Sequence, residues 1–283
     1  MSYFRLIIFC FLALCSTICF AQDFQLPDLG QSSGTFITPT QEKKLGKIFL
    51  KKIKQKYTII EDPIVVDYIQ SLGMRLVENS ASATKTFSFF IIDNPEINAF
   101  AGPDGSIGVN TGLIFATETE GELAAVIAHE IAHISQRHLV RKLETGGFIS
   151  LTNAGIILAS VAVNFLVDQN AGKAAMIGGQ AALIQKKLAY SRKFEKEADR
   201  VGIEILAKAN YDPRSLPAIF KKMARKRNSY GSKLPEILLT HPVDDARIAD
   251  AISRTENFPY IQQKNELRYQ ILLSYLKQKK QSN

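Results

Sequence analysis

Histidine is scarce in this 283-residue sequence; there are four, and three of them lie between positions 129 and 138. Two belong to His129-Glu130-Ile131-Ala132-His133, an H-E-x-x-H arrangement. On an α-helix a separation of four residues turns the two imidazoles only about 40° from each other, so both can meet one ion. Neutral imidazoles suit zinc, and a catalytic zinc takes three protein ligands and keeps one position open. Glu130 lies one step along the same helix, where its carboxylate can reach water at the metal without being a ligand. The chemistry this predicts is metal-assisted peptide hydrolysis with one zinc per chain. Glu130 takes the proton of the attacking water and returns it to the leaving amine.

A third ligand has to come from elsewhere in the chain. His138 is nearest, but on a continuous helix it points about 180° from His129. Gln136 and Leu139 also stand where a metzincin would carry its Gly and third His. His138 is therefore expected to face solvent or an interface. The segment Ser191-Arg192-Lys193-Phe194-Glu195-Lys196-Glu197-Ala198-Asp199 offers carboxylates instead. Glu195 and Asp199 share a helix face, and Glu197 sits about 200° from Glu195. One of that pair can bind zinc while the other orients a histidine. Without the upstream motif, the segment would read as a solvated acidic and basic helix surface.

The fourth histidine opens His241-Pro242-Val243, and two roles are open to it. Folded over the cleft, the ring can take the fourth zinc position and hold the enzyme latent. Beside the metal, it can donate to a developing oxyanion. Latency is the preferred reading, because Pro242 restricts the backbone next to the ring and Arg247 can tether the loop through a carboxylate.

These residues need elements to hold them. Thr40 offers an N-cap for an amphipathic helix with Leu45, Ile48, Phe49 and Ile53 inward and lysines outward. Asp62-Pro63 opens a second helix, with Ile64, Tyr68, Leu72 and Leu76 as its stripe. Phe87 to Ile92 reads as a buried strand, and Ile97 to Ala101 and Ser106 to Asn110 flank the turn Gly102-Pro103-Asp104-Gly105 as a hairpin. Thr119 and Glu122 have capping-box spacing ahead of one long helix, Leu123 to Leu143, so Glu122 is a cap. Further helices run from about Ser191 to Ala207 and onward from Asp212-Pro213. Helices, a few strands and more helices in that order give an α+β domain.

Composition bounds the setting. At 46% apolar and 22% charged residues, the chain can bury a sizeable core. Arg5, an apolar run from Leu6 to Phe20 and a small Ala21 have the three regions of a cleavable signal peptide. The expected organisation is a signal peptide at 1–21, a linker at 22–37, a peptidase domain at 38–255 and a basic C-terminal helix within 256–283. All three cysteines, Cys10, Cys15 and Cys19, lie inside the signal, so the exported chain forms no disulfide. The net charge of +8 falls only by Arg5 on its removal. Basic residues gather at Lys43 to Lys56 and Lys277 to Lys280, as solvated faces or for contact with anionic lipid or an acidic partner. Nucleic acid is not an expected partner of an exported chain. The uncharged stretch from Thr145 to Val167 reads as a helix pair covering the groove in preference to a membrane span.

The ordered set of Asn98-Ala99-Phe100-Ala101 with its hairpin, Gly121 to His133, Ser191 through Asp199, and His241-Pro242 with Arg247 resembles a known family. It is that of the gluzincin peptidases, which includes the CAAX-processing endopeptidases, HtpX-type membrane proteases and periplasmic BepA-like proteases. The resemblance covers roughly Thr40 to Arg247. It implies a mostly helical zincin-type domain with a small sheet whose edge strand borders the cleft. It also implies Glu195 as third ligand beside His129 and His133, with Asp199 supporting the ligand histidines. BepA-like proteins continue into tetratricopeptide repeats, whereas this sequence ends soon after one basic helix, Asn265 to Lys280, so no built-in repeat domain is expected. An extended substrate would pair along the strand near Ile97 to Ala101, which suits unfolded or misassembled envelope proteins in the periplasm. Contact with the membrane surface or with outer-membrane assembly machinery fits the same setting. The alternative from another class is a periplasmic chaperone or assembly factor for outer-membrane proteins that keeps its protease activity latent.

Overall fold

Residues 37–81, 86–145, 192–229, 235–262 and 266–282 are described by the computed structural model. The expected signal peptide, nearly all of the linker and the uncharged stretch after Thr145 lie outside the described residues. Helix α1 (Pro39–Lys56) starts two residues earlier than its spacing suggests. Thr38, not Thr40, caps it, accepting from the Gln41 amide while Gln41 reaches back to the Thr38 amide, with Pro39 at the first helical position. Leu45, Phe49 and Ile53 face inward, whereas Ile48 is exposed on the lysine side. Helix α2 (Pro63–Glu78) is capped by Asp62, as Asp-Pro implies, and its buried stripe begins at Val65 because Ile64 is exposed.

The sheet has the order β1-β3-β2, with β1 (Ser88–Ile92) parallel to β3 (Ser106–Asn110) and β2 (Ala99–Ala101) antiparallel to it. Strands β2 and β3 form the expected hairpin. Its turn passes through Asp104 at φ 58° and Gly105 at φ 72°, and a side chain at Gly105 would run into the Thr86 carbonyl. Strand β2 is thus an edge, with its outer backbone not paired to another strand of this sheet.

A short helix α3 (Thr111–Ala116) leads into α4 (Glu120–Ser135), which carries the H-E-x-x-H residues and is buried almost all round. Thr119 caps α4 through the Glu122 amide. The Glu122 carboxylate accepts from the Glu118 amide and from Lys222, so it is indeed a cap and an ion-pair partner. The expected continuous helix to Leu143 is not what forms. Arg137 adopts a positive φ of 54°, and α5 (His138–Thr145) starts in a new direction.

Helix α6 (Arg192–Lys208) packs along α4, and Gly202 lets the two backbones approach closely, since a Cβ there would lie 3.4 Å from His129 Cα. Helices α7 (Ser215–Ser229), α8 (Glu236–Thr240) and α9 (Asp245–Glu256) follow. The basic helix α10 (Leu267–Ser282) joins the same core: Tyr269 is fully buried and its hydroxyl meets Thr117 at 2.7 Å. The architecture is α+β and mostly helical. Among the described residues no helix is long and apolar enough to cross a membrane.

Candidate metal centre

Helices α4 and α6 bring the two distant motifs face to face. His129 Nε2 and His133 Nε2 lie 3.0 Å apart. Glu195 Oε2 is 3.5 Å from the first ring nitrogen, and Glu195 Oε1 is 3.5 Å from the second. Ligands at about 2.0–2.1 Å around a tetrahedral zinc would stand about 3.3 Å from one another, so these separations fit that ion. His241 enters from the segment after α8, with Nδ1 3.3 Å from His129 Nε2 and 3.1 Å from Glu195 Oε1. The donor atoms of His129, His133, Glu195 and His241 all lie within 4.8 Å of one another. The four side chains are buried, and Glu195 and the neighbouring Glu130 are each 1% exposed.

Asp199, one turn beyond Glu195, does not join this donor set. Its Oδ1 lies 3.0 Å from His129 Nδ1, on the far side of the ring from the cluster. Of the two carboxylates that share the α6 face, Glu195 therefore faces the ion position and Asp199 stands behind the histidine. Arg247 ties both together: it donates to Asp199 through Nε and Nη2 at 2.8 and 2.7 Å, and its Nη1 lies 2.8 Å from Glu195 Oε2. The same Nη1 donates to the Pro242 carbonyl at 2.7 Å, so the expected tether of the His241 loop runs through its backbone.

Charge is distributed unevenly over the site. Burial works against a positive His129, yet the Asp199 and Glu195 carboxylates outweigh it and hold the ring's pKa up at about 10. Burial pushes His133 well below its ordinary value, so it stays neutral, as a ligand must be. Glu195 stays well below the usual carboxylate range despite its burial, because His241, His129 and His133 surround it. A pocket that keeps a proton on His129 is one that favours a cation, and metal binding would release that proton.

Glu130 stands apart from this donor set. Both its carboxylate oxygens are buried with no hydrogen-bond partner among the described residues, and its Oε1 lies 3.5 Å from His241 Nε2. Burial raises its pKa, with the neighbouring His241 and His129 opposing. A carboxylate left so is poised to take a proton from a reactant.

One sequence expectation fails here. His138 does not face solvent; it is fully buried, with Nδ1 2.9 Å from His133 Nδ1 and Nε2 3.1 Å from Glu197 Oε2. The turn at Arg137 breaks the helical phase on which the outward direction depended. Glu197 is likewise not a bystander, and nothing in the spacing of a single helix could have placed it against a histidine 59 residues upstream.

Comparison with known proteins agrees with this geometry. The profile described as "Peptidase family M48" matches residues 63–255. The chain is 37% identical over 246 residues to the beta-barrel assembly-enhancing protease of Escherichia coli (strain K12), which covers 85% of this chain and 49% of that protein. It is 39% identical over 235 residues to the beta-barrel assembly-enhancing protease of Yersinia pestis, 83% of this chain and 48% of the relative. The mitochondrial metalloendopeptidase OMA1 of Arabidopsis thaliana is 32% identical over 157 residues, 56% of this chain and 29% of the relative. The chain thus spans about half the length of the assembly-enhancing proteases it matches.

Proposed function

The chain belongs to peptidase family M48, and from that premise we propose that it is a zinc-dependent metalloendopeptidase of the cell envelope that cleaves unfolded or misassembled proteins. The observation that carries this reading is the convergence of His129, His133 and Glu195 on one point, with the buried Glu130, whose carboxylate has no hydrogen bond among the described residues, beside it. Zinc held by those three residues supplies Lewis acidity to a peptide carbonyl and to water. Glu130 takes a proton from the attacking water and delivers it to the leaving amine, a cycle its burial favours by raising its affinity for that proton. Asp199 fixes the ring of His129, and Arg247 pairs with both the Asp199 carboxylate behind that ring and the Glu195 carboxylate. The edge strand β2, against which α4 packs, offers main-chain groups to an extended substrate regardless of its sequence. Relatives named as beta-barrel assembly-enhancing proteases support proteins that assemble as β-barrels as the substrate class.

His241 is assigned to latency. Its Nδ1 stands among the ligand atoms, where it excludes a substrate oxygen, and its loop is fastened at both ends. The Ile237 amide at the start of α8 donates to the Ile97 carbonyl just before β2, and Arg247 holds Pro242. The segment therefore covers both the ion position and part of the strand edge a substrate would use. This covering favours a second reading beside the first, an assembly factor or chaperone that binds envelope proteins and cleaves rarely.

One experiment tests enzyme and latch together. An unfolded protein such as casein is incubated with the zinc-loaded chain and with His241→Ala at matched zinc occupancy. Cleavage is expected to stop with a chelator, return with zinc, and run severalfold faster in the variant. No chelator-sensitive cleavage by either protein rejects the peptidase assignment. A drop of about tenfold or more in the variant rejects latency and moves His241 to oxyanion stabilisation.

A further inference from the structure

Each ligand histidine of a metal site is usually oriented by a hydrogen bond to its other ring nitrogen. Behind His129 the Asp199 carboxylate stands 3.0 Å from Nδ1. Behind His133 stands a second imidazole. His133 Nδ1 and His138 Nδ1 are 2.9 Å apart, so one must donate and the other accept. If His133 offers its Nε2 lone pair to a metal and stays neutral, its proton sits on Nδ1 and is donated to His138. His138 then has a bare Nδ1, its proton sits on Nε2, and that N–H donates to Glu197 Oε2 at 3.1 Å. Arg141 Nη1 donates to the same oxygen at 3.0 Å, which favours an acceptor there. The His138 ring is also clamped flat on Phe194, with centroids 4.5 Å apart and planes 11° apart, and the Arg141 guanidinium lies 4.5 Å from that Phe194 ring.

We infer that His138 and Glu197 are positioning residues that fix the tautomer and direction of His133, through a chain His133–His138–Glu197–Arg141 running outward from the metal centre. The inference rests on His133 being a ligand, as proposed above. It explains why an imidazole is fully buried 2.9 Å from another without belonging to the donor cluster. It also explains the break at Arg137, since a continuous helix would carry His138 away from His133.

The test is the zinc dissociation constant of the full chain by chelator competition, together with the rise in melting temperature that zinc produces. In His138→Leu the acceptor for His133 is gone, and zinc binding is expected to weaken by about 10–100-fold, with a smaller zinc-induced rise. In His138→Asn the side-chain oxygen takes the place of Nδ1 and still accepts, so affinity is expected within about threefold of the parent. Glu197→Ala, at a carboxylate 25% exposed, should weaken zinc several-fold. If the parent binds zinc tightly and His138→Leu and Glu197→Ala do so equally well, the chain of hydrogen bonds has no such role and the metal reading stands. If His138→Asn is as weak as His138→Leu, ring bulk and not acceptance matters, and the inference is overturned. If the parent binds no zinc, the metal reading fails first and this one with it.

Discussion

Glu130→Gln is expected to keep one zinc per chain and to lose peptide cleavage by about 10²–10⁴-fold, the range attributed to a positioned general acid and base. The substitution keeps the size of the side chain and removes its basicity. Glu130 is absent from the cluster of donor atoms, so metal content should not change. An amide also suits its surroundings, since a neutral group costs less to bury than the carboxylate that burial already disfavours. Metal analysis and a cleavage assay on the same preparation decide the matter. Loss of zinc would mean that Glu130 is a ligand, and more than a tenth of parental activity would mean that the base lies elsewhere. The variant also separates the two functional readings. If it restores a strain lacking the protein, binding is what the cell needs; if it fails while still holding zinc and partner proteins, cleavage is.

The second large effect falls on metal affinity. In Glu195→Gln, zinc binding should weaken on the order of 10³-fold, well beyond the roughly tenfold to hundredfold cost of losing an outer partner. The reason is charge more than geometry. With Glu195 neutral, only uncharged donors would face a divalent cation, while Arg247 keeps its positive charge 2.8 Å from the altered group. Glu197→Gln should change affinity only a few-fold, because its amide oxygen can still accept from His138. Similar losses in both variants would mean that Glu195 is not the ligand.

The core motif needed only local geometry. A separation of four on a helix dictates that His129 and His133 meet, and the same arithmetic pairs Glu195 with Asp199. Asp62-Pro63 and the Gly102 to Gly105 turn were equally legible, since caps and turns are settled by a few neighbouring residues. Small misreadings, such as Ile48 and Ile64 assigned to the core, come from the breadth of an apolar stripe. Periodicity names a face and leaves its edges to packing.

His138 is the instructive failure. Its predicted direction depended on unbroken helical phase over nine residues, and one residue at positive φ undid it. No residue type at position 137 announced the break, because Arg is not a residue that favours that conformation. The sequence by itself determined which side chains share a helix face, and hence the pairing of His129 with His133, Glu130 one step along from them, and the pair of carboxylates. Only the tertiary structure decided which carboxylate joins the donor atoms of His129 and His133, that His241 stands among them, and that His138 and Glu197 reach behind His133. Those choices depend on how α4, α5, α6 and the His241 loop pack, and packing joins residues whose separation along the chain carries no phase relation between them.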